Sequence, residues 1–292
     1  MLPTLNIVGA GRVGRTLAYL WHAHGQFSIQ GVACRSPESA HEAVAFIGAG
    51  TAIDAQELPP ADVWMLAVPD ASIAAVAQSL ATHAPPPTAT GAAPVVFHCA
   101  GASGSELLQP LTDLGWRSAS AHCILSFARA DTAVAQFDGT VCALEGEASA
   151  CALLQGAFEA IGGQCFALQR QDKLLYHAAA VFATNFLPVL QSVAEEAWAA
   201  SGVPAALLPH LRQTLLANAV RNITTLGPAG ALTGPAARGD TAHIARQSAV
   251  VHQWSEGAGR AYDALSSLAL QLAQRRPPAQ TTPEPGPPQE HP

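Results

Sequence analysis

The chain has 292 residues, of which 49% are hydrophobic and only 12% are charged. Fourteen basic and 21 acidic residues give a net charge of −7, without a basic run. This argues against nucleic acid or a membrane surface as a partner, because phosphate binding needs clustered Lys and Arg. Six cysteines without a C-x-x-C pair fit a reduced, cytoplasmic chain with no metal site. The length predicts two domains.

The first half of the sequence alternates β-rich runs with helical stretches, which predicts an α/β domain with a mostly parallel sheet. Strands are predicted at 4–8, 27–34, 63–68, 94–98, 116–121, 139–145 and 163–168. Helices are predicted at 12–24, 37–48, 70–83, 103–114 and 147–161, with a surface loop at 84–94. Beyond Leu168 only helices are expected, at 171–201, 204–226, 240–256 and 258–275.

Three parts follow from this pattern: a Rossmann-like α/β domain at 1–168, an all-α domain at 169–275 and a disordered Pro-rich tail at 276–292. The segment 177–194 is apolar enough to raise the question of a membrane helix. It contains His177, Asn185, Pro188 and Gln191, which hydrocarbon would penalise. We therefore expect a buried helix of a soluble protein.

A glycine-rich motif follows the first predicted strand. Residues 9–14 match G-x-G-x-x-G and open a helix at the start of an alternating β/α chain, which is the context of a dinucleotide site. Gly9 permits a tight turn, Gly11 lets backbone amides approach a pyrophosphate, and Gly14 lets the helix pack closely. The residues expected to line the cofactor here are Gly9, Ala10, Gly11, Arg12, Val13 and Gly14.

The end of the second strand predicts which nicotinamide cofactor is bound. An NAD site places an acidic residue there for the ribose, whereas this chain has Cys34, Arg35 and Ser36. A guanidinium and a hydroxyl suit a 2′-phosphate. We therefore predict NADP, with Arg12 stacking on the adenine or reaching the same phosphate.

Two further strand ends should face the cofactor, since ligands of open α/β sheets bind at the carboxyl ends of strands. Val68 and Pro69 end the strand at 63–68, and Asp70 is expected to cap the next helix rather than act as a catalytic carboxylate. His98 either contacts the ribose or substrate or is a structural histidine, and the same alternatives hold for His122.

Lys173 is the only lysine among fourteen basic residues. Where a chain uses Arg everywhere else, a single Lys suggests a position that needs a group able to give up a proton. Lys173 begins the long helix of the second domain, and we expect it to face a cleft. His177, Thr184 and Gln191 share its helix face, with Asn185 at about 80° from His177. Asn185 either holds a substrate carbonyl or carboxylate or satisfies backbone groups near Pro188.

A later loop contains Arg238 and Asp240. Asp240 is placed to cap the following helix. Arg238 either binds an acidic substrate group or forms a structural salt bridge.

In order, the motifs GAGRVG, VPD, HCAGA, AHCILSFA, KLLYHAAAVFATN and ALTGPAARGD resemble those of an uncharacterised Rossmann-like oxidoreductase family with a helical domain of unknown function. That family is similar in organisation to pyrroline-5-carboxylate reductase, ketopantoate reductase and the 3-hydroxyacid dehydrogenases. The resemblance implies an NADP-type cofactor, a helical domain that often dimerises, and substrate protonation and binding by a helix-borne Lys with a later Asn. Lys173 matches that Lys, while His177 stands where some relatives have Asn, and Cys123 replaces a common Pro.

These observations predict an NADP-dependent oxidoreductase that reduces a small carbonyl or imine compound. Its catalytic residues would be Lys173, His177 and Asn185. The alternatives are a non-catalytic NADP-binding or sensing protein and a deazaflavin-linked NADP oxidoreductase. The Ala-rich, apolar helices after residue 170 predict a homodimer.

Overall fold

The structure, a computed structural model, describes residues 1–83 and 91–275. Most of the predicted loop at 84–94 and the whole predicted tail at 276–292 lie outside these residues. The chain divides into two compact units, Met1–Phe186 and a second that begins at Leu187.

Within residues 1–83 and 91–275, eight strands form one sheet: β1 (Thr4–Val8), β2 (Ser28–Ala33), β3 (Thr51–Ala52), β4 (Val63–Leu66), β5 (Val95–His98), β6 (Arg117–Cys123), β7 (Val141–Gly146) and β8 (Gln164–Ala167). Their order is β3-β2-β1-β4-β5-β6-β7-β8, and every neighbouring pair is parallel except β6 and β7. The predicted, mostly parallel sheet is therefore confirmed. The strand order reverses between β1 and β4, which is where ligands bind in folds of this class.

Helices within the first unit are α1 (Arg12–Ala23), α2 (Pro37–Ile47), α3 (Ile73–Thr82), α4 (Gln109–Thr112), α5 (Ala130–Gln136), α6 (Ala148–Glu159) and α7 (Lys173–Ala180). A π-helical turn, Val181–Asn185, joins α7 to α8 (Phe186–Ala200). The remaining helices are α9 (Leu208–Ala231), α10 (Gly234–Ala237), α11 (Thr241–Trp254) and α12 (Glu256–Gln274). Helix α9 bends at Gly227, where φ is 68° and Pro228 follows.

The core explains why the sheet was predictable. All four residues of β4 and of β5 are buried, as expected for strands covered on both faces. Trp21 of α1 packs edge-on against Phe97 and Phe158 beneath the sheet. All seven predicted strands are present, whereas β3 and α5 were missed. The former has two residues and the latter buries only Ala133, so neither carries a recognisable period.

The helices from residue 187 onward differ from this core. Within 187–275 the only buried residues are Ala236 and Gly259, while many large apolar side chains are exposed, including Leu207, Val220 and Leu226. The segment Arg170–Ala200 is long and apolar enough to cross a membrane, by length and composition only. The prediction that 177–194 is buried is wrong for this structure: Phe182 is 67% and Val189 57% exposed. Apolar residues lie around most of this helix, more than one packing face can cover.

Candidate functional site

The glycine turn, residues 9–14, connects β1 to α1 at the point where the strand order reverses. Gly9 has φ of +84°, and a Cβ there would lie 2.6 Å from Val68 Cγ1 and 2.8 Å from the Ala67 carbonyl oxygen. A Cβ on Gly14 would meet the Gly9 carbonyl oxygen at 2.6 Å. These two glycines are therefore required by close packing of the turn, the β4 end and α1.

Gly11 differs, because a Cβ there would meet nothing within 4 Å. Gly11 is exposed and is the N-cap of α1, where no side chain forms a capping hydrogen bond and no acidic residue occupies the first turn. The first amides of a helix lack partners within the helix and carry partial positive charge. An uncapped helix start above a bare backbone has the shape and charge that a pyrophosphate needs, so these residues fit a dinucleotide.

The other residues of the turn point in different directions. Ala10 is buried, and its carbonyl oxygen accepts a hydrogen bond from Arg15 Nε at 2.9 Å. Val13 is half-buried. The exposed guanidinium of Arg12 donates to the Ala128 carbonyl oxygen at 3.2 Å, in the loop after β6.

The end of β2 presents both a cation and an anion. Arg35 is exposed, and Ser36 caps α2 by accepting a hydrogen bond from the Ser39 amide at 3.3 Å. The carboxylate of Glu38 lies at the same helix start, where its own amide and the Ser36 hydroxyl lower its pKa. A 2′-phosphate near Arg35 and Ser36 would therefore meet the carboxylate of Glu38 at this helix start.

The β4 end carries one correction. Val68 lies against the glycine turn, and exposed Pro69 follows it. Asp70 begins a 3-10 turn, and no side chain caps that turn or α3, so the predicted cap is wrong. The 3-10 turn separates Asp70 from the first residue of α3, Ile73, and the capping position falls to Ser72.

His98, at the end of β5, is fully buried. Its Nδ1 accepts a hydrogen bond from the Ala100 amide at 3.2 Å, and its Nε2 lies 2.8 Å from the Gly104 carbonyl oxygen. Burial lowers its pKa, so the ring is neutral. Both ring nitrogens hold the loop that follows β5, which favours the structural alternative for this residue.

The thiols of Cys99 and Cys123 are unsuited to nucleophilic attack, because burial raises the pKa of both, that of Cys99 to about 12.

Lys173 is 1% exposed rather than facing an open cleft. Its Nζ donates to Ser120 Oγ of β6 at 2.8 Å and lies 3.4 Å from the Ala100 carbonyl oxygen. Burial lowers its pKa, while Glu145, Glu106 and Asp70 act in the opposite direction. The ammonium thus links α7 to the strand β6 and to the loop after β5.

A group of ring side chains lies one helical turn further along. We call Gly101, His122, Tyr176 and His177 the histidine cluster. His122 Nδ1 is 2.9 Å from the Tyr176 hydroxyl, and the rings of His122 and His177 have centroids 5.6 Å apart. Burial, reinforced by His177 and Lys173, lowers the pKa of His122 to about 4.

Elementary geometry explains why these residues meet. Three residues of α-helix rise about 4.5 Å, and two residues of a strand span about 7 Å. Helix α7 runs beside β6, so Lys173 contacts Ser120 and the next turn, with Tyr176, contacts His122. Ser120 and His122 share one face of their strand. In the sequence, only the alternation of Ser120 and His122 in β6 indicates this arrangement. The predicted site contains neither Ser120 nor Tyr176.

The π-helical turn changes the predicted helix face. In a regular helix Asn185 would lie about 80° from His177; the extra residue of a π turn brings it to about 20°. The same insertion rotates Thr184 and Gln191 by about 100°, so their predicted place on the face of Lys173 is wrong. Asn185 is exposed, and its Oδ1 accepts from Thr184 Oγ1 at 2.8 Å.

Two predictions concern the second unit. Asp240 caps α11 by accepting from the His243 amide at 3.0 Å, so that prediction is confirmed. Arg238 is exposed and forms no ion pair with any residue in the described ranges, so the predicted structural salt bridge is absent from them.

Comparison with known proteins agrees with this architecture. Residues 3–123 match the Rossmann-like domain, and residues 140–269 match the domain of unknown function DUF2520. No curated protein matches the chain.

Several solved structures are similar over almost the whole chain. Protein TM1727 from Thermotoga maritima is 26% identical, covers 94% of this chain and 100% of its own, and has a TM-score of 0.72. BF3122 from Bacteroides fragilis, assigned as an NADP oxidoreductase, is 21% identical over 92% of this chain and 98% of its own, with a TM-score of 0.71. The NADP-bound pyrroline carboxylate reductase of Plasmodium falciparum is 11% identical over 93% of this chain and 98% of its own, with a TM-score of 0.55.

At these identities the second and third structures establish the fold alone. The two domain matches and these similar folds confirm the resemblance of the motifs to a Rossmann-like family with a helical domain of unknown function. The chain combines a Rossmann-like domain with a DUF2520 domain.

Proposed function

We propose that the protein is an NADP-dependent oxidoreductase that reduces a small carbonyl or imine compound. The observation that carries this proposal is the uncapped start of α1 above Gly11, at the reversal point of a Rossmann-like sheet. The similarity to a protein assigned as an NADP oxidoreductase and to an NADP-bound reductase supports it.

The glycine turn would hold the pyrophosphate through the first amides of α1. Arg35 and Ser36 would bind the 2′-phosphate, with Arg12 beside the adenine. Val68, Pro69 and the His98 loop would border the nicotinamide. When bound, NADPH supplies a hydride to the substrate carbon, and the substrate oxygen or nitrogen takes up a proton.

The catalytic side of the site would be formed by Lys173, His177 and Asn185. Asn185 is exposed and shares a helix face with His177 once the π turn is counted. It would hold the substrate, and His177 would serve the proton transfer. Because the ammonium of Lys173 is buried, Lys173 would act through Ser120 and the Ala100 carbonyl rather than by contact.

Fluorescence titration with NADPH, followed by NADPH oxidation against a panel of small oxo compounds and cyclic imines, tests this function. We expect NADPH to bind more tightly than NADH and at least one panel compound to be reduced. Binding without any turnover would favour a sensing protein, and absence of NADPH binding would refute the proposal.

We also propose that the protein acts as a homodimer in the cytoplasm, without nucleic acid or membrane as a partner. The exposed apolar side chains of α8, α9 and α12, such as Leu190, Ile223 and Leu268, form more apolar surface than a soluble monomer usually presents. A second copy offers a matching apolar surface. Sedimentation velocity at micromolar concentration should give a dimer, and a monomer would contradict this.

A further inference from the structure

The histidine cluster contains a ring nitrogen that the packing of the protein leaves uncommitted. His122 Nδ1 is bonded to Tyr176, but Nε2 of the same ring has no hydrogen-bond partner among the described residues and is not among the buried atoms. It lies at the carboxyl end of β6, beside the loop that follows β5. This is the sheet edge at which ligands of the fold class bind.

Gly101 shapes the surroundings of that nitrogen. A Cβ on Gly101 would lie 2.8 Å from His122 Nε2 and closer still to His177 Nδ1. The bare backbone therefore lets both rings approach the loop. His177 Nδ1 is buried without a hydrogen-bond partner in the described part of the chain, a condition that costs stability and is uncommon in folded proteins.

The hydrogen bond between Tyr176 and His122 Nδ1 connects the tautomer of His122 to the direction of that bond. Burial raises the pKa of Tyr176, so its hydroxyl keeps its proton. The ring atom that lies against that hydroxyl is His122 Nδ1, at 2.9 Å. When Tyr176 donates to Nδ1, the neutral ring must carry its own hydrogen on Nε2.

We propose that His122 Nε2–H is the hydrogen-bond donor to the reacting oxygen of the substrate, with Tyr176 as the positioning residue that fixes this tautomer. The inference rests on the proposed function and narrows its substrate to a carbonyl compound. A carbonyl oxygen has lone pairs that accept from N–H, whereas a protonated imine has none to offer.

The chemistry suits a reductase. Hydride addition to the carbonyl carbon moves the C=O π pair onto oxygen, and a solvent proton that His177 relays then completes the alcohol as NADPH becomes NADP⁺. A neutral imidazole N–H aimed at that oxygen stabilises the developing charge. A single preorganised donor of this kind contributes about 10²- to 10³-fold in rate.

The test compares two substitutions at one position. Gln keeps an N–H donor near the position of Nε2, whereas Phe keeps a planar ring without a donor. We expect His122→Phe to lower kcat/KM for the best oxo compound by about 10²-fold or more and His122→Gln by about tenfold. His24→Phe, on an exposed residue at the end of α1, is the control and should leave kcat/KM unchanged. NADPH affinity is measured for each variant.

The tautomer is read directly from the ¹⁵N spectrum of the full-length protein labelled in histidine. The wild type should show the His122 hydrogen on Nε2, and Tyr176→Phe should give a mixture of tautomers with a modest loss of kcat/KM. A His122 hydrogen on Nδ1 would overturn the inference.

The remaining outcomes separate the two proposals. Unchanged carbonyl turnover in His122→Phe, or a cyclic imine as the best substrate, overturns the inference while the oxidoreductase proposal stands. NADPH binding with no turnover of any panel compound overturns both the inference and the catalytic proposal. Absence of NADPH binding overturns the proposed function, and the inference falls with it.

Discussion

The glycine turn and the histidine cluster lie at the same edge of the sheet but are built in opposite ways. The glycine turn uses six consecutive residues and presents backbone amides, and a side chain at Gly9 or Gly14 would clash. The histidine cluster combines the bare backbone of Gly101 with side chains from a strand and a helix, His122, Tyr176 and His177. Adding side-chain atoms should therefore disrupt the glycine turn, whereas changing hydrogen bonds or charges should disrupt the histidine cluster.

The largest effect should follow from removing the charge beneath the histidine cluster. Lys173→Met keeps most of the side-chain volume but leaves Ser120 and the Ala100 carbonyl without the ammonium. We expect kcat/KM to fall by about 10²-fold, because the groups that Lys173 positions would shift, with NADPH affinity changed by less than about 1 kcal/mol. Steady-state kinetics and NADPH titration measure both.

Lys173→Arg overpacks the same site and should lower the unfolding free energy by about 1–3 kcal/mol. Full activity of Lys173→Met would show that the residue only fills space.

The glycine turn should separate binding from stability. A Cβ on Gly11 meets no atom of the described residues within 4 Å, so Gly11→Ala should change the unfolding free energy by at most about 1 kcal/mol. It should nevertheless weaken NADPH binding by tenfold or more, about 1.4 kcal/mol, because the Cβ occupies the pyrophosphate approach.

Gly48 provides a matched control for the packed part of the turn. Gly9 and Gly48 have similar positive φ values, +84° and +79°, but only a Cβ on Gly9 would clash. Urea denaturation should show Gly48→Ala losing about 1–2 kcal/mol and Gly9→Ala more. Equal losses, or normal NADPH binding by Gly11→Ala, would contradict this description of the turn.

The histidine cluster should also make stability depend on pH. The pKa of His122 is about 4 in the folded protein, against an ordinary value of 6.5. The unfolded chain therefore binds more protons than the folded protein between these two pH values. The contribution of His122 to the free energy of unfolding is fully present above pH 6.5 and is lost as the pH drops towards 4. His98 acts in the same direction.

Urea denaturation of the wild type and of His122→Gln at pH 7 and pH 5 measures the contribution of His122 to this pH dependence. The wild type should lose roughly 1–2 kcal/mol more than the variant between these two values. The same loss in both proteins would mean that His122 is solvated in the folded state.

The smallest effects should appear at the end of β2. Arg35→Asp should shift the preference between NADPH and NADH towards NADH by about tenfold, or 1.4 kcal/mol. Glu38→Gln removes the carboxylate at the same helix start and should strengthen NADPH binding by about 0.3–1 kcal/mol. Competitive titration with both cofactors measures each change, and an unchanged preference in Arg35→Asp would refute the NADP assignment at this position.

The contrast between the two sites also explains what the sequence could predict. The glycine turn is local: Gly9, Gly11 and Gly14 follow a buried strand and open a helix, so spacing alone identifies it. The long strands were predictable because their residues are buried on both faces. Helices α9, α11 and α12 were predictable from length and turn signals, and the Asp240 cap from its position before α11.

The errors are non-local or arise from irregular backbone. Asp70 failed as a cap because a 3-10 turn precedes α3, and Thr184 left the predicted face because a π turn adds one residue. The single Lys drew attention to position 173, but its burial against Ser120 depends on α7 lying beside β6. Tyr176 and His122 are 54 residues apart, and no local pattern pairs them.

Thermal unfolding with NADPH, with NADH and without ligand tests the cofactor assignment most directly. A ligand at about a hundred times its dissociation constant stabilises the folded protein by about 2.7 kcal/mol, a shift of several degrees. A larger shift with NADPH than with NADH, lost in Gly11→Ala, is the predicted result. Equal midpoints under all three conditions would contradict the dinucleotide site and the oxidoreductase proposal with it.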